Sequence, residues 1–325
     1  MRPRTSPLSL ILLGLGTFLL VLAPLFAWYV KPRAAVNPVD IDTTAVYTGR
    51  GSVFDLEKVE TVPDQNITIT QRVRGNVAES ERSGGAAVWD VTTSVDTDKS
   101  LPASDPHDAL SFTPHRWVLD RRTTEPVRCC GAKPRIEGEA YLKFPFDVQK
   151  RSYQWWDNTL GDTVVMRYRG TAKVQGYTGY RFTASVPPTK SGTRMVPGRL
   201  VDQPDRPQVL AEEWYANHGV ELIVDQATGR VVHARTSPRQ TLRAPGGDKD
   251  VAVLLDAEQG VSFTDETQKE AVRQAERDSG QLRLVGETVP IGAAVAGFLL
   301  AAIGGALVIH GRKDEEGPDS TGTHQ

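Results

Sequence analysis

The chain has 325 residues with 38 Lys and Arg against 40 Asp and Glu, so its net charge is close to zero. Setting aside the end charges Arg2, Arg4, Arg312, Lys313, Asp314, Glu315, Glu316 and Asp319 leaves the long middle near neutral as well. That balance excludes a domain built to hold nucleic acid electrostatically. Arg far outnumbers Lys, a bias of GC-rich bacterial genomes that says nothing about mechanism.

Leu8 to Val30 run without a charge between Arg2 and Arg4 on one side and Lys31 and Arg33 on the other. As a helix this stretch measures about 35 Å, enough to cross a bilayer core. A cleaved signal peptide would have a shorter apolar region ending in an A-x-A-like site, which Leu25-Phe26-Ala27 does not match. Residues 8–30 are therefore expected to stay as an anchor. Residues 31–42, with Pro32 and Pro38, read as an extended stalk.

Short segments of β character follow: Ala45 to Thr48, Val53 to Leu56, Ile67 to Val73, Ala87 to Val95 and Trp117 to Leu119. Ile67, Ile69, Gln71 and Val73 alternate with Thr68, Thr70, Arg72 and Arg74, the period of a half-buried strand. The second half continues with Thr163 to Arg169, Thr171 to Gln175, Tyr180 to Val186, Val209 to Tyr215, Val220 to Val224 and Arg230 to Thr236. Strand after strand with turn signals between them predicts an antiparallel, mainly β (α+β) domain. The absence of a strand-helix rhythm argues against a parallel nucleotide-binding sheet. Lys99 to Pro114 and Pro187 to Pro207, rich in Pro, Gly, Ser and Asp, read as mobile surface loops.

One helix is clear. Thr264 caps it, Phe263 staples it, Asp265 and Glu266 suit its start, Arg273 and Arg277 its far end, and Gly280 closes it. Its apolar content, mainly Ala271, Val272 and Ala275, is thin, so it is expected to be largely solvated. Val289 to Ile309 then form a second uncharged stretch, too long and too uniformly apolar for a buried soluble helix. Ala293, Gly297, Ala301 and Gly305 repeat every four residues along it, a small-residue face for close approach of another helix, either the first span or a second copy.

Both ends then lie on one side, and Arg2, Arg4, Arg312 and Lys313 mark that side as cytoplasmic. The expected layout is a cytoplasmic N-terminus over 1–7, a helix over 8–30, one extracytoplasmic domain over 31–288, a helix over 289–309 and a polar cytoplasmic tail over 310–325.

Chemistry is sparse. Six histidines are scattered without ligand spacing, and no H-E-x-x-H, G-x-S-x-G, phosphate-loop or dinucleotide fingerprint occurs, so neither a metal, a cofactor nor a catalytic residue is nominated. Cys129 and Cys130 are adjacent. Three readings stand: a tight ring between them, favoured by an oxidising exterior, two buried thiols, or bridges to another copy. Between Tyr141 and Asp157 the aromatics Tyr141, Phe144, Phe146, Tyr153, Trp155 and Trp156 lie among Lys143, Lys150 and Arg151. Large aromatics are usually core. The functional alternative makes Lys143, Phe144, Phe146, Tyr153, Trp155 and Trp156 a wall for an amphiphile, rings meeting its apolar or sugar part and cations its phosphate.

The Lys143-Phe144-Pro145-Phe146 run with Tyr153 and Trp156-Asp157, the Asp120-Arg121-Arg122-Thr123 segment ahead of Cys129-Cys130, and the strands around Thr228-Gly229 between two end spans resemble the actinobacterial porin PorA-type family. The resemblance covers nearly the whole chain and carries no catalytic residues. It implies a non-enzymatic protein of a lipid-rich envelope whose outer domain binds lipid or glycolipid, or scaffolds the proteins that assemble them. A pore is the second expectation and an envelope enzyme the third. A membrane barrel needs strands of about ten residues with lipid-facing apolar positions and aromatic girdles, whereas the strands expected here are shorter and carry charged faces. Membrane lipids, envelope-biosynthesis proteins and self-association through the helices are the expected partners.

Overall fold

The computed structural model describes residues 7–55, 58–100 and 109–313, with side chains to 310. Leu56, half of the loop expected over Lys99 to Pro114, and the tail from Asp314 lie outside the described residues, while Ser111 to Pro114 of that loop are strand, paired with the neighbouring strand in the sheet. The chain forms two compact units, one of Met1–Val36 with Gly280–Gln325 and one of Asn37–Ser279.

The first unit is a helix pair. Helix α1 (Pro7–Leu25) runs through a π-helical turn (Phe26–Val30) into α2 (Lys31–Ala34), so the start of the expected stalk is helical instead. Its partner α5 (Val289–Lys313) is preceded by a second π-helical turn (Leu284–Thr288). Each wide turn contains the residue four before a proline, Trp28 before Pro32 and Gly286 before Pro290. A proline ring clashes with that carbonyl in a regular α-helix, and the widened turn relieves the clash.

The two helices pack antiparallel through small residues. A Cβ on Gly16 would lie 2.5 Å from the Ala301 backbone nitrogen, and one on Gly304 would lie 2.7 Å from that of Leu13. The buried positions fall every seven residues, Ser9, Gly16 and Ala23 on α1 and Gly297 and Gly304 on α5. Of the expected four-residue row, Gly297 and Ala301 meet α1, while Gly305 has open space beside it and Gly304 takes its place. A seven-residue repeat stays on the contact line of two slightly coiled helices, whereas a four-residue step overshoots one 3.6-residue turn and drifts off it. Large apolar side chains such as Phe18, Val21, Phe298 and Leu299 point outward.

The second unit is one antiparallel sheet of eleven strands. These are β1 (Asp42–Asp55), β2 (Glu60–Gly75), β3 (Ala86–Thr97), β4 (Ser111–Asp120), β5 (Tyr153–Asp157), β6 (Asp162–Val174), β7 (Tyr177–Val196), β8 (Val209–Val224), β9 (Val231–Arg243), β10 (Asp250–Asp256) and β11 (Val261–Phe263). Their order is β4-β3-β2-β1-β10-β9-β8-β7-β6-β5, with β11 bridging β1 and β9. The strands are longer than the sequence implies. Expected pairs fuse across register shifts, at Gly51/Val53 in β1, Tyr168/Thr171 in β6 and Asn217/Val220 in β8. Half of the loop expected from Pro187 is strand, since β7 stays paired with β8 as far as Val196.

One face of the sheet is apolar along a row that crosses it. Val95, Ile69, Tyr47 and Phe263 are successive cross-strand neighbours, and Ala234, Leu222, Phe182 and Tyr168 continue the row beyond β11. The opposite face pairs Arg167, Thr183, Glu221 and Arg235. This alternation is that of a sheet with one buried and one wet face. On the wet face α4 (Asp265–Arg283) seats Val272 and Ala275 against Val174, Ile223 and Val232. The Thr264 hydroxyl caps that helix by accepting the Thr267 N–H at 3.2 Å, while Phe263 goes into the core against Tyr47 rather than stapling the cap. Gly280 does not close it. The helix runs on to Arg283, because Gly280 keeps right-handed backbone angles and no left-handed residue follows it.

The connection from β4 to β5, residues 121–152, runs along both edges of the sheet. It bridges β4 at Arg116/Lys133 and Leu119/Pro126, and it meets β5 where Trp156 N–H donates to the Ala140 carbonyl. Among the described residues no strand ladder joins β4 to β5 directly.

Candidate ligand groove

The aromatic and basic passage lies within this connection and β5. Phe144 is fully buried and stacks on Phe182 at 4.6 Å, with Tyr153 at 5.1 Å and the half-buried Trp155 at 5.3 Å. Trp156, also buried, belongs to a separate cluster with Trp89, Trp117 and Tyr141. Lys143 is half-buried, 3.9 Å from the centre of the half-buried Phe146 ring. The six side chains therefore divide between two core clusters and a cation-aromatic contact, and do not share one exposed wall.

The passages that carry the family resemblance meet one another. Gly229, at φ +73°, lets the β8–β9 turn approach so closely that a Cβ would lie 2.0 Å from the Phe144 carbonyl oxygen. Phe144 N–H donates to the Gly229 carbonyl, and Asp147 and Val148 donate to Ala227 and Gln226. The fully buried Asn37 accepts from Lys143 Nζ at 2.6 Å and donates to Thr124 Oγ1 at 3.1 Å, while its backbone N–H donates to the Arg121 carbonyl and its carbonyl accepts from Arg121 Nε. Burial, reinforced by the nearby Arg230, pushes the Lys143 ammonium down to about 7. These residues form a joint that ties three stretches of chain together.

A different place offers room for a ligand. Between edge strand β4 and residues 126–138 lies an open groove of about 660 Å³, within the usual size of small-molecule sites. Its apolar wall includes Val118, Val127 and Ile136, with prolines 126 and 134. Cys129 completes that wall; it is bonded to Cys130, and both pack with Ala86, Val88 and Val118. The ring reading of the cysteines thus describes the structure. Cys130 at φ +57° and Gly131 at φ +75° turn the backbone sharply there, a conformation glycine adopts freely.

Three guanidinium groups line the groove. Arg116 is held by Asp90 at 2.6 Å and donates to the Cys130 carbonyl at 3.3 Å; Arg135 pairs with Glu137 at 3.1 Å; Arg128 has no carboxylate partner among the described residues. Trp117, also a lining residue, is 1% exposed, and its indole N–H has no acceptor. Beside it on the core side is His115, whose Nδ1 is also unpartnered and whose imidazolium is disfavoured by burial. Sequence reading missed the groove because it joins an edge strand to a loop through residues of ordinary type. The adjacent cysteines were its one local signal.

The fold and groove define a β-domain protein carrying two apolar helices, each long enough to cross a membrane. The family model described as Porin PorA matches residues 8–306, and the chain belongs to that family. No curated protein matches it. Among solved structures it is similar to a MaoC domain protein dehydratase from Chloroflexus aurantiacus J-10-fl. That match is 14% identical and covers 81% of this chain and 92% of that one, with a TM-score of 0.13, too low to carry an argument about fold or activity.

Proposed function

We propose that this protein is a non-enzymatic, two-pass protein of the bacterial plasma membrane whose extracytoplasmic β domain binds a lipid or glycolipid, in the service of envelope assembly. The groove beside Cys129–Cys130 carries this reading, because it sets an apolar wall against guanidinium groups, the two surfaces an amphiphile presents. The cationic flanks Arg2, Arg4, Arg312 and Lys313 support cytoplasmic termini. The test is mass spectrometry of lipid retained by the full-length protein after mild detergent extraction. Retained amphiphile that disappears in an Ala132→Trp variant with an unchanged unfolding midpoint supports the groove. Equal retention by both proteins, or none by either, defeats it. Protease added to intact spheroplasts should digest the β domain, and its survival would overturn the orientation.

The family description favours a second reading, a pore. The outward charged face of the sheet is unlike a lipid-facing barrel wall, so conduction would fall to assemblies of the helix pair. Reproducible unitary conductance of the pure protein in planar bilayers supports this reading, and silence opposes it.

A further inference from the structure

We infer that the groove beside Cys129–Cys130 selects a phosphate-bearing lipid headgroup, a deepening that rests on the amphiphile-binding reading above. Charge is the first ground. The domain as a whole is close to neutral, yet residues 121–138 hold Arg121, Arg122, Arg128, Lys133 and Arg135 against only Glu125 and Glu137. The excess is concentrated where the groove is.

Availability of those charges is the second ground. Arg116 is committed to Asp90, and Arg121 donates to the Asn37 carbonyl. Arg128 is exposed with no carboxylate partner among the described residues, and the Arg135–Glu137 pair has side chains 65% and 54% exposed. An exposed pair of that kind is weak and yields readily to a stronger anion. Arg128 is thus free, and Arg135 is readily released from Glu137, which also lines the groove, to grip a tetrahedral dianion, a geometry that guanidinium groups suit better than ammonium groups.

The third ground is the apolar wall that lies beside those charges. The polarisable sulfur pair with Val118 and Val127 provides an apolar surface for the glycerol and first methylenes. Together these features call for an anion joined to an apolar stem, which is a lipid headgroup rather than free phosphate.

The test uses the full-length protein in dodecyl maltoside micelles, which carry no phosphate, titrated with short-chain phosphatidic acid, the matching uncharged diacylglycerol, and inorganic phosphate. Phosphatidic acid is expected to bind tightest, and to weaken about tenfold or more in Arg128→Gln/Arg135→Gln and on raising salt. Both substitutions are at exposed positions and leave the core intact. Diacylglycerol binding as tightly as phosphatidic acid, with no effect of the arginine variant, overturns the headgroup inference and leaves amphiphile binding standing. Inorganic phosphate matching phosphatidic acid overturns it in favour of a free-anion site. Binding of none of the three defeats both readings.

Discussion

The helix pair and the sheet unit solve opposite packing problems. In the sheet unit the largest side chains are inside, Trp117, Phe144 and Phe182 among them, and most of the charges are outside. In the helix pair Gly16, Gly297 and Gly304 are at the contact, and Phe18 and Phe298 face away. Water drives bulky apolar groups together in the first case. Lipid is as apolar as they are, so in the second only close backbone approach gains anything.

The contrast can be broken at either side. Phe144→Ala should have the largest effect, about 3–5 kcal/mol off the stability of the sheet unit, read by tryptophan fluorescence during denaturation of the full-length protein. A loss below about 1 kcal/mol would mean the aromatic cluster is not its core. Lys143→Met should remove a pH dependence. Between about 7 and the ordinary lysine value of 10.5 the unfolded chain keeps its proton while the folded chain gives it up. Wild-type stability should therefore rise with pH over that window, by at most about 1.4 kcal/mol per unit, and the variant should be flat by comparison. A falling wild-type curve would contradict the depressed ammonium.

Gly297→Leu should force α1 and α5 apart by roughly 2 Å, toward the ordinary spacing of helices with large contact residues. Spin labels on Phe18→Cys and Phe298→Cys would report the change as a longer, broader distance distribution, and an unchanged one would refute the glycine seam. The smallest effect is expected for Phe298→Leu, within about 0.5 kcal/mol, because that ring points outward from the helix pair.

The two regions are unequally legible in the sequence. The spans were legible because a long uncharged run fits poorly anywhere but in a bilayer, and the inward face of β2 because Ile67 to Val73 alternate cleanly. Strand lengths were not, since the bulges at Gly51/Val53 and Asn217/Val220 interrupt the period and look like ends. Gly280 misled because glycine permits a left-handed cap without imposing one. Among the candidate site residues, composition could not separate an aromatic wall from an aromatic core. That distinction depends on where residues 121–152 lie over the sheet, a tertiary fact.

The course of that connection also bears on solubility. An open sheet normally offers two rows of unsatisfied backbone groups to any passing strand, and secreted chains that expose them polymerise. Here a single stretch of the protein's own chain occupies part of both rows, at Arg116/Lys133 and Leu119/Pro126 on one border and Ala140/Trp156 on the other. The domain can therefore be concentrated without neighbouring copies stitching into fibres.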